Sequence, residues 1–187
     1  WYIAREMPPF RPEPFIDSED NYMTSMLIDL QSVFQSTTST RFQDFASSWD
    51  AVNDYFRRSS DFFVRLTNPC FYVGECVEKV STATSDTLEM AGKALRELQA
   101  QVSWNGQSVI YPDNMKRAWT DGSGSSAEMN FLYIVILKKL GIDVYPLLTS
   151  RRSRGKINPY RPTLSRFNYV MTLVRIGDRD ILVDASD

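Results

Sequence analysis

The chain has 187 residues, a formal net charge of −2, 43% hydrophobic and 13% aromatic residues and no histidine. That length and apolar content suit one domain with a flanking arm, and the charge balance excludes a nucleic-acid footprint spread over the whole surface. Without histidine the usual Cys/His zinc site is excluded, as is the commonest general base at neutral pH. The chain begins Trp-Tyr-Ile rather than with Met, which fits a trimmed or mature piece, so the lack of a signal peptide says nothing about compartment. No apolar stretch is long enough for a transmembrane helix, and nothing in the sequence calls for a cofactor.

Taken in order, residues 1–20 carry Pro8, Pro9, Pro12 and Pro14 among scattered acids and read as an extended arm. Tyr22 to Phe34 alternates (Met26, Ile28 and Leu30 against Leu27, Asp29 and Gln31) and predicts a strand, followed by a Ser/Thr-rich break at Ser36 to Thr40. The expected division is therefore an arm and strand over 1–40 and a folded domain over 41–187. Ser48 to Phe56 predicts a short helix capped by Ser48, with Trp49, Val52 and Phe56 on one face. Asp61 to Pro69 is ambiguous. Ser85 or Asp86 caps a longer helix, in which Leu88, Ala91, Leu95, Leu98 and Val102 recur at helical spacing before a turn at Trp104-Asn105-Gly106. Residues 107–121 show no firm periodicity. Cys70 and Cys76 could close a small disulfide loop or stay reduced as packing residues, and both alternatives remain open.

The stretch Gly122 to Leu148 organises the rest. A Gly/Ser loop opens into Met129, Phe131 to Leu137 and Leu140, which leave no wide polar face until Lys138 and Lys139. A helix apolar all round is a buried one. Gly141 stands where a helix C-terminus favours a left-handed residue, and Ile142 to Leu148 reads as a buried strand. Backbone N–H groups and the helix dipole converge on the first turn, so the start of such a helix is a natural platform for chemistry. Arg151 to Arg166 is a long basic loop, followed by a predicted hairpin of Phe167 to Ile176 and Arg179 to Asp184 around Gly177-Asp178. The basic loop could grip an anionic ligand, although such loops are more often simply solvated. Ser153-Arg154-Gly155-Lys156 matches an S-x-x-K pattern by chance composition in a loop, not at a helix start. Helices early and strands late predict an α+β fold, with a buried central helix packed on an antiparallel sheet.

Several of these segments, in this order, carry a resemblance: V-S-W-N-G (102–106), G-S-S-A-E-M-N-F-L leading to L-G-I-D-V-Y-P-L-L, T-S-R-R-S-R-G-K-I-N-P (149–159), F-N-Y-V (167–170) and I-L-V-D-A-S-D (181–187). From Ser85 to Asp187 the chain resembles bacterial transglutaminase-like proteins, whose core is related to papain-like cysteine proteases. In that family a cysteine begins the central helix, a histidine lies on the following strand and an aspartate on the next. The resemblance places these positions on Ser126, Tyr169 and Asp184, and puts Trp104 beside the cleft. It thus implies a degenerate triad: a serine hydroxyl needs a nearby base, and a tyrosine is a poor one near neutrality. Ser126 is then expected as a helix cap, Asp184 as a hydrogen-bonded carboxylate, and Tyr169 as a partner of Asp184 or Ser126. The function it implies is a catalytically inactive binding or structural module of a larger bacterial envelope protein, in a periplasmic setting, with a peptide or protein ligand. The alternative is a serine-dependent amidase or acyltransferase using Ser126.

Overall fold

The run Ser126–Lys139 forms the longest fully enclosed element, and its sequence explains why. Ser125 stands at the N-cap in extended conformation, its hydroxyl accepting from the Glu128 backbone N–H while the Glu128 carboxylate accepts from the Ser125 N–H. This capping box closes off the otherwise orphaned amides of the first turn. Every residue from Ser126 to Leu137 is buried, and only Lys138 and Lys139 bring charge to the C-terminal turn, where it complements the dipole. Gly141 follows at φ +75°, the left-handed position that a side chain would disfavour.

The computed structural model describes residues 5–6, 9–16, 18–23, 32–37, 39–44, 48–160, 162 and 166–187. In chain order these contain the strands β1 (Ser32–Thr37) and β2 (Ser39–Asp44), then the helices α1 (Trp49–Arg58), α2 (Gly74–Ala83) and α3 (Thr87–Gln101). A two-residue strand β3 (Ser103–Trp104), helix α4 (Met115–Asp121) and a two-residue strand β4 (Ser123–Gly124) lead into α5 (Ser126–Lys139). The strands β5 (Asp143–Thr149), β6 (Tyr169–Ile176) and β7 (Arg179–Val183) complete the chain. Strands β5, β6 and β7 form an antiparallel sheet in that order, with Val144 opposite Val174 and Leu173 opposite Leu182. Strand β3 pairs in parallel with β4, which holds the end of α3 beside the start of α5.

α5 lies against β5 and β6 on one side and against α3 and α4 on the others. Val144, Val170 and Val174 from the sheet, Ala91, Ala94 and Leu98 from α3, and Phe131 to Leu137 from α5 make one continuous core. Tyr133 shows how this core admits a polar tip: its ring is enclosed and its hydroxyl donates to the Ala91 carbonyl at 3.0 Å.

Several expectations change here. The Ser/Thr-rich break at Ser36 to Thr40 falls within a tight hairpin, with Ser36 opposite Thr40 and Thr37 opposite Ser39. Most of the strand expected over Tyr22 to Phe34 lies outside the described residues. The hairpin also spans residue 40, where the sequence suggests dividing arm from domain. Ser48 caps α1, accepting from the Ala51 N–H, and Val52 and Phe56 are buried, but Trp49 stands at the rim. Asp86 rather than Ser85 caps α3. Leu88 is exposed, because α3 turns Ala91, Ala94 and Leu98 inward. The strand after the central helix is buried at Val144, while Tyr145 faces out. Both cysteines are buried free thiols; Cys76 sits in α2, and the Tyr72 hydroxyl donates to Cys70 Sγ at 3.2 Å.

Candidate functional site

Strand β6 ends its predecessor loop at Tyr169, and β7 runs out at Val183, so the antiparallel register brings Tyr169 beside the residues that follow β7. Tyr169 Oη donates to Asp184 Oδ2 at 2.6 Å and lies 2.8 Å from Ser186 Oγ. Ser186 closes the cluster, donating to Asp184 Oδ1 from its backbone N–H at 3.0 Å and from its hydroxyl at 2.8 Å. Asn130, from the second turn of α5, donates to the same Oδ1 at 3.0 Å. Burial on its own would raise the Asp184 pKa, but the donors Tyr169, Asn130 and Ser186 outweigh it and hold the carboxyl below its ordinary value. The phenol of Tyr169 moves the other way: burial, then the bond to Asp184, push it above the ordinary tyrosine range. Tyr169 therefore holds its proton at neutral pH and serves as a donor, not a base.

Ser126 occupies the first helical position, one residue inside the cap. It is Ser125, not Ser126, that caps the helix; the extended backbone of Ser125 aims its hydroxyl back at the Glu128 amide, and Ser126 is already helical. Ser126 is fully buried, its N–H donates to the Gln107 carbonyl at 3.0 Å, and its Oγ accepts from Val109 N–H at 3.2 Å. The same Oγ faces Val109 O at 3.4 Å as donor. The Gln107–Val109 segment thus lies across the helix start and takes up its polar groups. Ser126 reaches Asp184 only through Asn130, whose amide donates to both the Ser126 carbonyl and the Asp184 carboxylate.

Asn130 is the residue the sequence reading passed over. It is fully buried, and its Oδ1 accepts from Thr172 Oγ1 and from the Ala185 N–H, each at 3.1 Å. Both amide protons and both acceptor positions are used, so one side chain ties α5, β6 and the segment after β7 together. A lone amide in an otherwise apolar helix was the available signal, since a buried polar group requires partners.

Above this cluster opens a cavity of about 360 Å³, lined by Trp104, Ser108, Arg151, Tyr169, Asp184 and Ser186 among others. Trp104 is half-exposed on its wall, its Nε1 donating to the Gln107 carbonyl at 2.8 Å. The Arg151 guanidinium stands 5.7 Å from the Tyr169 ring centroid and donates to Ser108 Oγ at 2.8 Å, so the basic loop supplies one cation to the cleft. Three of the residues singled out in the sequence, Trp104, Tyr169 and Asp184, line this cavity, and Ser126 does not.

Comparison with known proteins adds the fold. A solved structure of a candidate protease from Parabacteroides distasonis matches with a TM-score of 0.52 and 14% identity, over 65% of this chain and 25% of that one. At that identity the likeness shows a shared fold alone. That fold is a mixed α and β arrangement, as the order of elements described above also shows. The periplasmic domain of TgpA from Pseudomonas aeruginosa also matches, with a TM-score of 0.47 and 12% identity, over 65% of this chain and 45% of that one. The chain is thus similar to less than half of the length of either protein. No family model and no curated protein matches it. Among the described residues no helix is long and apolar enough to cross a membrane.

Proposed function

We propose that this chain is a transglutaminase-like domain with a degenerate catalytic constellation, acting as a binding or structural module of a larger envelope protein. The observation that carries this reading is the partnering of its three site positions. Tyr169 donates a hydrogen bond to Asp184 at 2.6 Å, and Ser126 is buried with its hydroxyl held by Val109. A nucleophilic serine needs an acceptor for its proton within hydrogen-bond reach, and among the described residues the only groups bonded to its Oγ are the backbone N–H and carbonyl of Val109. The chain has no histidine to replace the lost base. The cavity over Tyr169 and Asp184 is then a surface for holding a peptide, with Trp104 and Arg151 as its apolar and cationic walls. The envelope setting follows from the family resemblance alone.

Amide hydrolysis and amine incorporation on a broad panel of glutamine peptides test this against the serine-dependent amidase reading. Wild type and Ser126→Ala are expected to be equally silent. Turnover by wild type that disappears in Ser126→Ala would overturn the proposal. The paired change Ser126→Cys with Tyr169→His asks whether the scaffold still holds triad geometry.

A further inference from the structure

A second cavity, of about 420 Å³, lies between α1 and β5. Its floor is made by Val52, Phe56 and Phe62, all buried in the core. Its rim is made by Trp49, Tyr145 and Phe167, with Trp49 and Tyr145 exposed by 38% and 43%. The rim is built rather than loose. Trp49 Nε1 donates to the Pro159 carbonyl at 2.6 Å, and its ring meets Phe167 edge to face at 6.0 Å. Large aromatic surfaces held open around a recess of this size suit a small ligand.

Besides the Tyr145 phenol, two polar side chains border this site, both from one helix. Asn53 and Arg57, one turn apart on α1, border the recess. Neighbouring Arg58 pairs with Asp54, whereas Arg57 has no ion-pair partner among the described residues. A second cation stands behind the wall, with Lys138 Nζ at 5.2 Å from the Phe63 ring centroid. An apolar recess with one unpaired guanidinium at its edge complements a molecule that is apolar for most of its length and anionic at one end.

We propose that this cavity binds a small molecule with an aromatic body and a single anionic group, the body seated on Val52, Phe56 and Phe62 and the anion on Arg57. This is independent of the reading of the Tyr169–Asp184 cluster, which neither the ligand nor the variants below touch. The test uses the 187-residue chain and two probes of one shape, 2-naphthoate and neutral 2-naphthylmethanol, titrated to about 10 mM by heteronuclear NMR. Shifts confined to the amides of α1, β5 and the residues around Phe62 and Phe167 are expected for both, with 2-naphthoate the tighter. Arg57→Gln, an exposed change, should weaken 2-naphthoate by about tenfold, one charge-assisted hydrogen bond, and leave the alcohol within about twofold. Arg154→Gln, in the basic loop, should alter neither. Absence of binding by either probe overturns the proposal. So does equal weakening of the two by Arg57→Gln, or loss of 2-naphthoate binding in Arg154→Gln.

Discussion

Replacing Asn130 tests the hydrogen-bonded cluster without touching Tyr169 or Asp184. Asn130→Leu keeps the branched outline of the side chain, with somewhat greater bulk, and removes four hydrogen bonds, to Ser126 O, Asp184 Oδ1, Thr172 Oγ1 and Ala185 N. The four do not count equally. The Ser126 carbonyl keeps its helical amide partner, and Asp184 Oδ1 keeps both donors of Ser186. Thr172 retains a longer contact to the Asn130 carbonyl at 3.4 Å. The Ala185 N–H is left without a partner among the described residues, in a fully buried position. One orphaned donor and one weakened hydroxyl come to about 3 kcal/mol, since an unsatisfied buried group costs roughly 1–3. For a chain of this size that is a fall in Tm of roughly 6–12 °C. Urea unfolding near neutral pH should show it with an unchanged slope. A loss below about 1 kcal/mol would refute the account of Asn130 as the clasp.

Asn130→Asp then separates charge from shape. It sets a second carboxyl oxygen where the amide now stands, 3.0 Å from Asp184 Oδ1. Two carboxylates at that distance cannot both ionise, so the new acid must keep its proton and its folded pKa rises above the unfolded one. Its penalty therefore grows with pH, by about 1.4 kcal/mol per unit until the raised value is reached. A penalty that does not change between about pH 5 and pH 7 would show that the two side chains do not meet.

Two further outcomes are expected. The folded pKa of Asp184 lies below its ordinary 3.8, so its contribution is present above that value and is lost as pH falls through the lower folded one. Tyr169→Phe removes one of the donors that lower it, so stability measured at about pH 5 and again at about pH 2.5 should drop less steeply in the variant; an equal drop would show that Tyr169 does not set the Asp184 titration. Cys70 and Cys76 are both free, and burial pushes Cys76 up to about 11, so thiol reagents should react slowly with the native chain. In denaturant without reductant both of its two cysteines should titrate, and any shortfall would reveal a bridge.

What could be read from the sequence follows from how strongly each segment repeats. Helix α5 announces itself because it is apolar all round and ends at Gly141, and the β6–β7 hairpin because Gly177-Asp178 interrupts two alternating runs. Helices α2 and α4 escape for physical reasons. α2 has Val73 at its N-cap with no side-chain bond, and α4 is only 7 residues long, with its Asn114 cap as its sole local signal. In the site, Tyr169 and Asp184 come from motif order, and the structure joins them directly. Ser186 and Asn130 are not found that way, because their roles depend on a contact across 54 residues and on the register of β6 against β7. The assignment of Ser126 as cap fails by one residue, since the choice between Ser125 and Ser126 depends on where the backbone leaves extended geometry.

The course of the chain over Gln107–Val109 bears on how this domain can change through descent. The amide and hydroxyl of Ser126 are already occupied by that backbone. A cysteine arising at position 126 would be born beneath a covering strand of main chain, with no open face for a substrate carbonyl. Changing the side chain at position 126 would therefore not by itself expose it; the covering segment would have to move as well. A side chain is exchanged by a single codon, whereas a different course of the backbone requires several coordinated changes.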